Sequence, residues 1–173
     1  MHRRHLLTTL IAAASLPLLG RQLLASTVEH KTVTDFTPLD HPHDYWRDKV
    51  SPEAWRVLFE EATERAGSSP LDKLYEDGTY VCAACHLPLF RSEDKYDSGT
   101  GWPSFTQAIP GSMGTKRDFK LVWPRTEYHC IRCGGHQGHV FNDGPQPTGQ
   151  RWCNNGVALR FVPATENLPA LRG

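Results

Sequence analysis

Two C-x-x-C pairs, Cys82-Ala-Ala-Cys85 and Cys130-Ile-Arg-Cys133, constrain this chain more than anything else in it. A C-x-x-C in a tight turn brings two thiolates within reach of one ion. Two such turns supply four sulfurs in the tetrahedral arrangement that structural Zn²⁺ accepts. The metal would tie two distant turns together and make its own binding part of folding. Two disulfides are the alternative, open to an exported protein. Disulfides within C-x-x-C close very small rings and are typically redox-active rather than structural, so the spacing favours one structural zinc on Cys82, Cys85, Cys130 and Cys133. A finger-like set of Cys130, Cys133, His136 and His139 fails on spacing. A finger needs about a dozen residues between its pairs, and here only Gly134 and Gly135 separate Cys133 from His136.

At 173 residues the chain is long enough for one domain with a real core and a short extension. Its 19 basic and 19 acidic residues balance, leaving no electrostatic case for nucleic acid or an anionic membrane surface. The 14 glycines and 13 prolines favour turns and short strands over a helical bundle. At the start, Arg3 and Arg4 precede an apolar run from Leu6 to Leu19 and then small residues near Ala25 and Ser26. That is an export signal over 1–26, of twin-arginine type, with the mature chain beginning near Thr27. The run is too short for a comfortable membrane span, which takes about 20 residues. This predicts a periplasmic protein, with tethering by an uncleaved N-terminus as the alternative.

Residues 27–45 read as a linker or extended arm, 46–166 as the folded domain and 167–173 as a tail. Ser51 caps a helix that opens with Pro52, carries Trp55, Leu58, Phe59 and Ala62 on one face and stops at Gly67. Strands are expected around Tyr80-Val81, Phe119–Trp123, Glu127–His129, His139–Phe141 and Val157–Val162. In the last run Val157, Leu159 and Phe161 alternate with Ala158, Arg160 and Val162. The loops "DSGTGWPSF" and "NDGPQPTG" lie between. The class is mainly β and antiparallel, with one or two short helices ahead of the sheets.

Cys153, in "RWCNNG", is left over once the other cysteines are paired. A single unpaired Cys with His residues elsewhere is a candidate thiol nucleophile, although most free cysteines are small buried hydrophobes. Arg151 lies two residues earlier, on the same side of an extended segment, where its cation would favour thiolate. Asn155 falls on that side too, with an amide that can donate hydrogen bonds. His136 and His139 can supply a proton near neutral pH, and Asp143 could hold one ring in a chosen tautomer. The residues alone leave two readings open, a thiol enzyme on a zinc scaffold or a zinc-ribbon binding module. A zinc hydrolase or deaminase is disfavoured, because four thiolates leave the ion no vacant position.

"GTYVCAACHLPLF", "DSGTGWPSF", "CIRCGGHQGHVFNDGP" and "RWCNNGVALRFVP", in that order, resemble the methionine-R-sulfoxide reductases, the B-type family, over roughly Trp46 to Pro163. The resemblance implies a β-tent of two antiparallel sheets, with zinc away from the active site and the R epimer of methionine sulfoxide in proteins as substrate. It implies Cys153 as nucleophile, His139 as proton donor, Trp102 as the wall of the methyl pocket and Phe141 as a further substrate contact. His136 and Asn155 would be polar pocket residues, and Asp143 with Arg151 would orient and charge the site.

Two positions depart from the family. Thr100 stands where many relatives carry a recycling cysteine, so the oxidised Cys153 is expected to need an external, thioredoxin-like thiol. Gly156 stands where serine is common, which predicts a slower rather than an inactive enzyme. A monomer is expected.

Overall fold

The computed structural model describes residues 36–173 apart from residue 122. The export signal and cleavage point expected over 1–26, and the start of the arm, lie outside the described residues. Among the described residues no helix is long and apolar enough to cross a membrane.

Ser51 caps α1 (Pro52–Glu60) as expected, its hydroxyl accepting from the Ala54 N–H at 3.1 Å. Trp55, Leu58 and Phe59 are buried on its inner face. The helix ends well before Gly67, because Glu61 turns into the left-handed region at φ 53°. Tertiary partners take over there. The Glu61 carboxylate pairs with Lys116 and Lys120, and three residues on Glu64 bonds to Asn155, Gly156 and Val157.

Among the described residues nine strands follow: β1 (Gly78–Cys82), β2 (Pro88–Arg91), β3 (Lys95–Tyr96), β4 (Ser104–Phe105), β5 (Met113–Asp118), β6 (Arg125–Cys130), β7 (His136–Phe141), β8 (Arg151–Asn154) and β9 (Leu159–Pro163). They form two antiparallel sheets, β2-β1-β9 and β3-β4-β8-β7-β6-β5. The mainly β class with one α-helix is therefore as expected. Aromatic side chains fill the core, with Phe90 stacked on Phe105 at 4.1 Å and Tyr128 edge-on to Trp152 at 4.9 Å.

Two strand expectations need correction. Of the expected strand Phe119–Trp123, the described residues Phe119, Lys120, Leu121 and Trp123 are outside any strand, between β5 and β6. The Asp118 carboxylate takes the Lys120 N–H at 2.8 Å, an Asx turn that ends β5, and Pro124 has no N–H to pair. In Val157–Val162 only the part from Leu159 is strand, and Gly156–Ala158 is a 3-10 turn. The Glu64 carboxylate accepts the Gly156 and Val157 N–H groups at 2.6 and 2.9 Å, which removes both from any ladder. The expected alternation is correspondingly broken: Ala158, Leu159 and Val162 are the buried positions.

Both ends of the described chain fasten onto the C-x-x-C turns. The Leu39 N–H donates to the Arg132 carbonyl at 2.6 Å, and the Arg172 N–H to the Cys85 carbonyl at 2.9 Å. The Arg172 side chain reaches the Lys49 carbonyl and His86 Nε2.

Candidate active site and metal centre

Cys82 closes β1 and Cys130 closes β6, so each C-x-x-C turn hangs from the end of a different sheet. All four thiols are buried and their Sγ atoms lie within 4.8 Å of one another. Cys82 and Cys133 are 3.6 Å apart, Cys85 and Cys130 3.5 Å. These separations exclude disulfides, which need about 2.05 Å. They suit four thiolates around one zinc, where a Zn–S bond of about 2.3 Å puts sulfurs about 3.8 Å apart. The Gln137 side-chain N–H donates to Cys82 Sγ at 3.6 Å, the outer hydrogen bond that such sites carry. His136 and His139 point elsewhere, as the rejected finger set requires.

The fifth cysteine sits in a row that crosses the larger sheet. Lys116 pairs with Glu127, Glu127 with His139, His139 with Cys153, Cys153 with Ser104 and Ser104 with Tyr96. Directly opposed residues project from the same face with Cβ atoms about 4.5–5.5 Å apart, so Cys153 and His139 are immediate neighbours. On β8 the intervening side chains go inward: Trp152 packs on Tyr128, and the Asn154 amide oxygen accepts the Tyr128 hydroxyl at 2.9 Å. Arg151 and Cys153 thus share the outer face, as the alternation predicts.

Arg151 makes a two-pronged pair with Asp143, both contacts at 2.8 Å, and lies 4.3 Å over the Phe141 ring. Asp143 therefore holds the arginine and not a histidine ring, which corrects one expectation. The histidines have other carboxylates. His139 Nε2 meets Asp118 Oδ2 at 2.7 Å, and His136 Nδ1 meets Glu127 Oε1 at 2.7 Å. Glu127 also meets His129 at 3.1 Å. His136, almost wholly buried, stands edge-on behind His139 with ring centres 5.5 Å apart.

These contacts set the protonation states. Burial pushes His139 down from the ordinary histidine value, against the pull of Asp118. Asp118 is held well below the usual carboxylate range by the Lys120 N–H, with His139 and Arg125 adding to it against burial. Burial would raise Glu127, but the hydrogen bonds of His129 and His136 outweigh it and bring its pKa to about 2. Burial pushes the Cys153 thiol up. The Arg151 charge and a hydrogen bond from the Thr100 hydroxyl oppose that without cancelling it. The cation beside the thiol has the expected sign and is outweighed.

Asn155 is not on the open face. Strand β8 ends at Asn154, and the Asn155 amide is spent on backbone: its oxygen accepts the Glu64 N–H at 3.0 Å and its nitrogen donates to the Gln137 carbonyl at 2.9 Å. Trp102 stands half-buried two residues before Ser104, its indole N–H donating to the Glu64 carbonyl at 3.2 Å. Glu64 thereby anchors the tryptophan loop, Asn155 and the turn that follows β8 together. Asp118, Glu127 and Glu64 were absent from the sequence expectations. A Cβ on Gly156 would fall 2.0 Å from Ser69 Oγ, so the space a serine would use is already filled.

Residues 50–163 match the SelR domain family. The chain is 49% identical to a peptide methionine sulfoxide reductase MsrB of Leptospira interrogans over 67% of this chain and 89% of that one. It is 47% identical to a protein of the same name from Agrobacterium fabrum over 68% and 88% of the two chains. For another from Bradyrhizobium diazoefficiens the figure is 46% over 77% and 96%.

Proposed function

The chain belongs to the SelR-domain family of peptide methionine sulfoxide reductases, and on that premise we propose that it reduces protein-bound methionine-R-sulfoxide through a Cys153 sulfenic acid that an external thiol then reduces. The observation that carries this is the direct pairing of Cys153 with His139, itself held by Asp118. The Cys153 sulfur attacks the sulfoxide sulfur, the oxygen is protonated with His139 as donor, and that oxygen ends on the Cys153 sulfur as its bond to the substrate sulfur breaks and methionine leaves with its own sulfur. The cysteine proton and the substrate oxygen account for the Cys153–SOH. Two external thiols then give Cys153–SH, a disulfide and water.

Trp102 offers an apolar face to the S-methyl group, a contact of about 1 kcal/mol. Asp143 fixes Arg151 beside the thiol, and Phe141 supports the guanidinium from below. Zinc on the four paired cysteines supplies structure and no chemistry. Those cysteines are committed to the metal, and Thr100 rather than a thiol neighbours Cys153, which supports reduction from outside the chain by a thioredoxin-like protein or small thiol. The N-terminal pattern supports export to the periplasm, and the enzyme acts as a monomer that repairs oxidised proteins.

The test supplies R and S epimers of a methionine-sulfoxide peptide with dithiothreitol to wild type and Cys153→Ser. The R epimer alone is reduced, and only by wild type. Turnover of S, or undiminished activity in the variant, overturns the assignment. One turnover without reductant adds one oxygen to Cys153 by mass spectrometry; a Cys153 disulfide there contradicts the sulfenic route.

A further inference from the structure

Three of the exposed large apolar side chains crowd into the loop between β5 and β6: Phe119 at 74% exposure, Leu121 at 58% and Trp123 at 81%. All three lie outside the hydrophobic core, and a cluster of this kind on a water-facing loop marks an interaction surface. Its place is specific. The loop begins at the residue after Asp118, whose carboxylate holds His139, which pairs across the sheet with Cys153. Beside it a shallow, open groove of about 420 Å³ lies by the end of α1 and β5, lined by Glu61, Lys116, Arg117, Asp118, Phe119 and Lys120. Lys116 and Lys120 fix both walls by pairing with Glu61.

We propose that Phe119, Leu121 and Trp123 form a docking surface for the polypeptide that flanks the oxidised methionine, with a preference for apolar flanks. This rests on the reductase reading above. Methionine is mostly buried in proteins, so its neighbours in sequence are often apolar and become exposed when the oxidised protein loosens. A segment whose sulfoxide enters the Cys153 site leaves along the sheet face, where the loop offers apolar contact and the groove offers a track for backbone. Continuity with the catalytic row favours this occupant over a lipid surface.

The experiment compares wild type with the triple variant F119S/L121S/W123S on three R-sulfoxides: the free amino acid, a peptide with Leu and Val flanks, and the same peptide with Ser and Gly flanks. For the apolar peptide kcat/KM falls about tenfold, chiefly through KM, while the free amino acid is turned over as before. Equal losses on all three overturn the proposal, because the loop then acts only by steadying Asp118. No loss on any overturns it too, as does binding of phosphatidylglycerol vesicles or self-association that the variant abolishes while its peptide kinetics stay at wild-type values. Anisotropy of the labelled peptides on Cys153→Ser, with and without the loop changes, reads docking without turnover. If wild type reduces none of the three, the reductase reading fails, and the anisotropy still decides whether this surface prefers apolar flanks.

Discussion

At the residue scale, Cys153 is a thiol held against its own ionisation. Burial keeps the thiol above its ordinary pKa, and Arg151 and Thr100 pull it back, so the thiolate fraction is small at neutral pH and grows as pH rises. Alkylation of Cys153 by iodoacetamide therefore accelerates with pH through that raised value. Arg151→Ala removes a lowering influence and moves the acceleration to higher pH; an unmoved profile would show that the guanidinium does not act on the sulfur. Asp118 acts on His139 at 2.7 Å, and Asp118→Asn should lower kcat by about 10- to 100-fold, within the range such proton-transfer groups supply. Steady-state kinetics on the free amino acid check this, with KM changing little. The thiols were legible in the sequence because C-x-x-C is a local spacing and Cys153 is what it leaves over. Asp118 was not, since 21 residues separate it from His139 and only the β5-β6-β7 register brings them together.

At the scale of elements, local signals set where structure starts and tertiary partners set where it stops. Ser51-Pro52 opened α1 as its capping chemistry requires, yet the helix gave out early because Glu61 pairs with Lys116 and Lys120, while Glu64 is needed by Asn155, Gly156 and Val157. The alternating apolar residues of Phe119–Trp123 imitated a strand, and an Asx turn with a proline overruled them. The brace at Glu64 is tight. Gly156→Ala should cost about 1–3 kcal/mol by overpacking against Ser69, and Ser69→Gly in the same chain should recover part of it. Urea unfolding of the four members of this cycle checks the coupling, and strict additivity would mean that the two side chains do not compete.

For the molecule as a whole, the zinc site ties the ends of the two sheets together, alongside their shared aromatic core and the Glu64 brace. Stripping it with a chelator under denaturing pressure, or Cys85→Ser, should remove one zinc per chain by elemental analysis and abolish the cooperative melt. A variant that keeps a wild-type melting temperature without metal would refute the structural role. The fold class and its metal were readable because they rest on composition and spacing; the strand order was not, because β8 slips between β4 and β7 while its neighbour in sequence, β9, joins the other sheet. The cross-strand row that results, from Lys116 through Glu127, His139 and Cys153 to Tyr96, is ruled by the two-residue period of the strands. Exchanging one of its side chains leaves the register of the others in place, but the loss or gain of a single residue within β7 or β8 would turn His139 or Cys153 to the opposite face. This enzyme is therefore free to vary in letters and rigid in length, and the loop at 142–150, between those strands, is where changes of length can be absorbed.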